Sequence, residues 1–544
     1  MAEDRRKLFT LIATILGSTI VFLDGTIVNV ALPAISDDLD AGLADQQWIV
    51  EAYMLATVAL LLVGGALGDQ FGRRRMFVIG LVGFGITSVL CAIAPTSEIL
   101  IGSRALQGLT GALLVPGSLA ILTATFEGAE RGKAIGTWTA WTGIATVFGP
   151  AGGGALVEAL SWRAIFWVNI PLIVGCIVLA RAYVRESVDP GADRAIDWLG
   201  ISLSAVGLGG PVYALIEQPR EGWGSPMVYL PLIGGAALFA LFLLWESRYR
   251  HAMLDLSLFR VRNFAITNLE TLIVYAGLIG AFFFVTLFLQ QTAGYSPLAA
   301  GFATTPISLL LFVLSPRFGK IAMSTGPRTP MCVGPIVAGA GLLLLTRVGA
   351  DADYVTEVLP GVLVFGLGLS ATVAPLTATA LNSVEQRHAG IASGINNGVS
   401  RMAGLLAIAV LGALISGQFG STVDSEIAGA SPAPAPEAQS ALDDAKENPF
   451  VPPDTDGLAA TDADRVAAAA TEGAESAFHL AMVVNGVLMI AGGIVAGFGI
   501  QNPRRREEQI APRAAPAGEC ARCAQDARDG QPAEHERPAE PSPA

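Results

Sequence analysis

The sequence predicts an all-α membrane protein with fourteen transmembrane helices, and three observations carry that reading. Apolar runs of about 20 residues, the length of helix that crosses a bilayer, recur along the chain. Hydrophobic residues make up 52% of the 544 and charged residues only 15%, against about 25% charged in ordinary soluble domains. Lys and Arg gather in alternate connections between the runs, as the positive-inside rule requires. Mean hydropathy is +0.56. So few charges do not cover the surface of a soluble protein this large, which excludes a multidomain soluble enzyme. A net charge of −13 without a basic patch excludes a nucleic-acid partner.

The runs cover 10–32, 46–67, 76–94, 99–123, 134–157, 164–183, 197–217, 227–246, 264–290, 299–316, 329–346, 357–381, 389–416 and 477–500. Many carry small residues, as close helix packing in lipid requires. The fifth holds Gly143, Gly149, Gly152, Gly153 and Gly154. With the N-terminus in the cytoplasm, 26 Lys and Arg fall on the inner side and five on the outer. Both termini are then cytoplasmic. Arg5, Arg6 and Lys7 precede a long apolar run, which reads as an uncleaved anchor.

The simplest parse is six, two and six. It gives an N-terminal six-helix bundle in 1–183, a linker with two extra helices in 184–263, a C-terminal six-helix bundle in 264–503 and a cytoplasmic tail in 504–544. The acidity belongs to one stretch: Ser421 to Ser476 carries a net −10. The outward segment 418–476 is rich in Ala, Pro, Asp and Glu and reads as mostly disordered, with room for a short helix near 458–475. The tail has the same character.

Cys91, Cys176 and Cys332 lie in apolar runs and read as packing residues. Cys520 and Cys523 form a single CxxC in the tail, two of the four ligands a structural zinc needs. No metal or cofactor is expected. The four histidines are scattered and form no nucleophile–base pair, so no enzyme is expected.

Ionisable groups deep in a span are costly and mark function. Asp24 lies roughly 12 Å from the outer end of the first run, and Glu51 and Arg104 each lie roughly 8 Å deep in the second and fourth. All three occupy the outer half of one bundle. An acid near an Arg stays ionised and an apolar surround opposes ionisation, so Asp24 is poised to load and release a proton. The alternative is a static Asp24–Arg104 ion pair. Glu51 reads either as a second acidic site or as a group facing the outer vestibule. Glu270 lies roughly 9 Å from the inner end of the ninth run and is expected to snorkel to the interface, with proton coupling as the alternative. Arg401 lies roughly 18 Å into the thirteenth run and either faces a central cavity or pairs with an acid there. Phe22, Tyr53, Phe148, Tyr275, Phe284 and Asn396 are candidate pocket residues. Aromatic walls beside a carboxylate suit amphipathic cations.

Four segments carry a resemblance. Gly65-Ala-Leu-Gly-Asp69-Gln-Phe-Gly72-Arg73-Arg74-Arg75 follows the second run. Leu23-Asp24-Gly-Thr26-Ile-Val-Asn29-Val-Ala31-Leu32-Pro33 lies in the first, Arg104-Ala-Leu-Gln107-Gly108 in the fourth, and Gly149-Pro150-Ala-Gly-Gly153-Gly154 in the fifth. In order and placement they resemble motif A, the first-span motif, motif B and motif C of the major facilitator superfamily, in its fourteen-span drug:proton antiporter branch. The second-half copy of motif A departs from the pattern, with Met323 and Ser324 in place of its acidic–basic pair. The resemblance implies the major facilitator fold and a monomer. It also implies proton-coupled export of hydrophobic or cationic small molecules, drugs or antibiotics, across the bacterial inner membrane by alternating access. Asp24 and Arg104 would form the proton relay, and the motif A and C residues would be gating elements. Against this stand a dedicated exporter of one metabolite or lipid, and a non-transporting receptor or scaffold.

Overall fold

In a bilayer every backbone N–H and C=O must be satisfied within the chain, so long apolar runs fold as helices. A computed structural model describes residues 2–188, 197–249, 254, 256–385, 389–428 and 435–502, and these are helical with no strand among the described residues. In order the helices are α1 (Ala2–Leu39), α2 (Leu43–Phe71), α3 (Arg73–Ala92), α4 (Ser97–Gly111), α5 (Leu114–Thr125), α6 (Gly128–Ala159), α7 (Ala164–Trp167), α8 (Asn169–Tyr183), α9 (Trp198–Glu221), α10 (Pro226–Glu246), α11 (Arg262–Gln291), α12 (Pro297–Thr325), α13 (Arg328–Leu344), α14 (Leu359–Asn382), α15 (Ala389–Ala428), α16 (Pro436–Glu447) and α17 (Ala460–Gly499).

Among the described residues, twelve helical segments are long and apolar enough to cross a membrane, and α2, bent by 50° between Leu61 and Val63, makes a thirteenth when taken as one span. The expected fifth span lies inside α6, a 32-residue helix rich in glycine and interrupted by Pro150. Local chemistry sets the ends. Ser225 and Ser296 cap α10 and α12, each followed by proline in the first turn. Between α2 and α3 the chain turns at Gly72, whose φ of +107° suits only glycine.

The α9–α10 pair packs on itself through Gly207, Gly210 and Gly235, where one backbone lies against the other. It meets the rest through α9: Leu55 of α2 approaches Gly209, and Trp48 of α2 packs 6.0 Å from Tyr213. Elsewhere α1, α2 and α6 meet α11, α12 and α15, with the closest approaches toward the outer ends. A Cβ on Gly154 of α6 would sit 2.3 Å from the Pro297 carbonyl oxygen, and one on Gly301 of α12 would sit 2.5 Å from that of Pro150. The Gln47 amide donates to the Ile408 carbonyl at 2.6 Å, joining α2 to α15. The two halves thus touch at the ends that the sequence predicts to be outer.

The outer segment departs from the expected disorder. Helix α15 runs on to Ala428, α17 begins at Ala460, and α16 lies between them. Ala438, Leu442 and Ala445, spaced along one face of α16, are buried, and so is Phe450. Phe450 packs on Phe284 and Phe288 at 6.3 and 6.1 Å, and its carbonyl accepts from the Thr292 hydroxyl at 3.0 Å. Lys446 pairs with Asp424 at 2.9 Å and Asp443 at 3.0 Å. Burial opposes its charge, but the two carboxylates outweigh burial and raise its pKa above the usual lysine value. A charged outer face hides an apolar inner one, which composition averages away. The tail 504–544, with Cys520 and Cys523, lies outside the described residues.

Candidate functional site

Asp24 lies on the face of α1 that also carries Val21 and Val28, one turn to either side, and all three are buried. That face brings the carboxylate to α4 and α8. Its Oδ2 accepts from the Arg104 guanidinium at 2.5 Å. Its Oδ1 accepts from the Gln107 and Asn169 amides, both at 3.1 Å. Ser88 of α3 accepts from the same two amides, at 2.9 and 3.3 Å. Arg104 donates further to the Gln107 oxygen at 2.7 Å and, through Nε, to the Ile49 carbonyl of α2 at 3.1 Å. Its guanidinium lies 4.2 Å from the centre of the Tyr53 ring, a cation–π contact that strengthens when desolvated. Asp24 and Ser88 are 0% exposed, and Arg104 and Asn169 are 1%. A buried ion pair offsets its desolvation only with such further hydrogen bonds.

The network thus joins Asp24, Arg104 and Tyr53 from the sequence-predicted set. It adds Gln107, Ser88 and Asn169, which sequence reasoning missed as site residues. Gln107 lay inside a recognised motif. Ser88 and Asn169 offered only the weak signal of a polar residue in or beside an apolar run.

The other three charges stand apart from this network. Glu51 is 0% exposed, and neither carboxylate oxygen has a hydrogen-bond partner. On α2 it falls between Gln47, bonded to Ile408, and Met54, against Gly404, so it faces α15 in a closed contact rather than an open vestibule. Glu270 does not snorkel. It too is 0% exposed with both oxygens unpartnered. Its neighbours along one face of α11, Ile266 and Ile273, pack on Gly499 and Gly492 of α17. Arg401 is half-buried on α15, with no ion pair among the described residues.

The motif residues are structural joints. Asp69 accepts from the Arg73 guanidinium at 2.8 Å. The Glu186 carboxylate accepts from the backbone of Arg74 at 3.0 Å and of Arg75 at 3.1 Å, and a Cβ on Gly72 would collide with it. Sequence reasoning missed Glu186, an acid just past α8. Gly65 lies against Pro116. Gly149 and Gly153 let α6 close on Thr26 and Ile27 of α1, while Pro150 and Gly154 meet α12.

The pocket candidates divide. Phe22 and Tyr275 are half-buried and Phe148 is 61% exposed. Phe284 is fully buried beneath Phe450. Asn396 is tied up, donating to Asn268 at 3.3 Å and Thr271 at 2.8 Å. Among the described residues no group of three or more side chains is arranged to hold a metal.

A family model described as Major Facilitator Superfamily matches residues 14–408. The chain is similar to the multidrug resistance protein Stp of Mycobacterium tuberculosis, with 36% identity over 432 residues, 79% of this chain and 80% of that protein. It is similar to the tetracenomycin C resistance and export protein of Streptomyces glaucescens, with 33% identity over 494 residues, 90% of this chain and 91% of that one. Among solved structures it resembles a bacterial homologue of the human lysosomal transporter Spinster. There the TM-score is 0.62 at 16% identity, over 92% of this chain and 99% of the other, which speaks to the fold alone.

Proposed function

The chain belongs to the major facilitator superfamily, and we propose that it exports drug- or antibiotic-like small molecules across the cell membrane in exchange for protons. It is a multi-pass membrane transporter of the efflux kind. In our reading it works as a monomer by alternating access. It has fourteen spans and cytoplasmic termini, and the α9–α10 pair stands between two six-helix bundles.

The observation that carries the mechanism is the path from Asp24 to the outer closure. Asp24 on α1 holds Arg104 on α4, and Arg104 holds the Ile49 carbonyl on α2. Two residues earlier on α2, Gln47 holds Ile408 on α15. A proton reaching Asp24 from outside cancels the charge that fixes Arg104, and Arg104 is then free to shift against α2. Proton binding is in this way coupled to the contact between α2 and α15. Efflux and resistance in the relatives supply the direction of transport.

The test is a drug-susceptibility panel in an efflux-deficient bacterium, comparing this chain with Asp24→Asn at matched membrane expression. Resistance to several unrelated compounds, lost in the variant, supports the reading. Resistance kept by the variant removes Asp24 from the mechanism. Resistance to one compound alone favours a dedicated exporter. A scaffold role would need an outer surface free for a partner, but the apolar side chains of the outer segment, Leu442 and Phe450, are spent on the chain's own helices.

A further inference from the structure

A transporter closed on its outer side selects substrate from the cytoplasm, so the charge it presents in that state sets what it accepts. Deep within the spans, the acids are withdrawn. Asp24 is saturated by three donors. Glu51 is sealed between α2 and α15, and Glu270 between α11 and α17, each 0% exposed. The cation of the network, Arg104, is 1% exposed. What remains is Arg401, half-buried, with no hydrogen bond or ion pair among the described residues.

Its position gives that charge a direction. Three residues beyond it on α15, about 4.5 Å along the helix, Gly404 lies against Met54 of α2 and Ile279 of α11. Arg401 therefore stands just below the closed outer contact, on its cytoplasmic side. Below it on the same face, one and two turns down, are Asn397 and Ser393. Asn397 is exposed, and its amide donates to the Ser393 carbonyl at 3.0 Å. Exposed polar groups at membrane depth face water between helices, since lipid would exact several kcal/mol for a guanidinium. The stripe Ser393, Asn397, Arg401 thus ends on a cation that pairs with none of the described residues.

Building on the export reading above, we propose that Arg401 is the charge-selecting residue of the transport site, and that the substrates are amphipathic organic anions, aromatic acids or ionised phenols. The guanidinium fork takes a carboxylate or phenolate in charge-assisted hydrogen bonds. It differs from the cation preference expected from the sequence, which needs a carboxylate open to the cavity.

The test uses the full chain in phosphatidylcholine nanodiscs, so that no anionic lipid competes for the site. Binding of carboxyfluorescein, an anion, and ethidium, a cation, is read by fluorescence anisotropy. The wild type is expected to favour the anion. Arg401→Gln should weaken anion binding about tenfold or more, Arg401→Lys should retain most of it, and neither should weaken ethidium. Asn397→Asp, which leaves the guanidinium in place but sets an acid one turn below it, should also weaken the anion, and it serves if Arg401→Gln does not fold. A wild type that favours ethidium, or anion binding untouched by every folded variant, overturns the proposal. Uptake of the same two probes into energised inverted vesicles tests export separately. Anion binding without uptake leaves the selectivity standing and removes the export reading.

Discussion

Asp24 is 0% exposed and accepts hydrogen bonds from three side chains on two other helices. Removing its cation strands a buried charge, so Arg104→Ala should cost about 3–5 kcal/mol of stability. Adding Asp24→Asn to Arg104→Ala should recover part of that loss. Thermal melts of the two variants in one detergent check it, and a double variant as unstable as the single one removes the pair's energetic role. Glu51 behaves oppositely. Its carboxylate has no partner, so Glu51→Gln loses no hydrogen bond, removes the cost of an unpaired buried acid and should lower stability by no more than about 1 kcal/mol. A much larger loss would reveal a partner for Glu51. The two kinds of acid were not separable in the sequence. A charge in an apolar run shows its cost, but its partner lies on another helix, here 80 residues away for Arg104. Ser88 and Asn169 were less legible still, since uncharged polar residues are common in spans and cost little.

At the scale of elements, α6 is a joint between α1 and α12, and its glycines are the reason the surfaces meet. A leucine at 154 has no room beside the Pro297 carbonyl. Gly154→Leu should hold the outer side open and reduce transport tenfold or more, and a cysteine at Gln47 should then label from outside at a raised rate. Unchanged labelling would show that this crossing does not govern closure. The motif pointed to α6 in the sequence, but its partner surfaces could be seen only in three dimensions. The outer segment taught the reverse lesson. Its composition suggested disorder, yet Ala438, Leu442 and Ala445 recur at helical spacing, and Phe450 has aromatic partners in α11. Phe450→Ala should cost up to about 3–5 kcal/mol of stability, the usual range for a buried aromatic. A melt within a degree of the wild type would show the segment to be loosely held.

For the whole molecule, the apolar period made the helical membrane fold legible, because spans are selected for the same length everywhere. Two spans depart from a straight apolar helix: α2 is bent and α6 is weighted with glycine. Orientation rests on charge placement, and it predicts which cysteines a membrane-impermeant maleimide reaches in intact cells. A cysteine at Ser425 should label and one at Lys320 should not; the opposite pattern would invert the protein in the membrane. In the predicted orientation, the acidic stretch between Ser421 and Ser476, net −10, stands over the exit. Its field reaches about 8 Å at physiological ionic strength. An anion released there is pushed into bulk solution, and one approaching from outside is turned back before it meets the helices. The outer segment is then an electrostatic screen: it holds the local concentration of anions at the mouth below that of bulk solution, and added salt dissolves the effect.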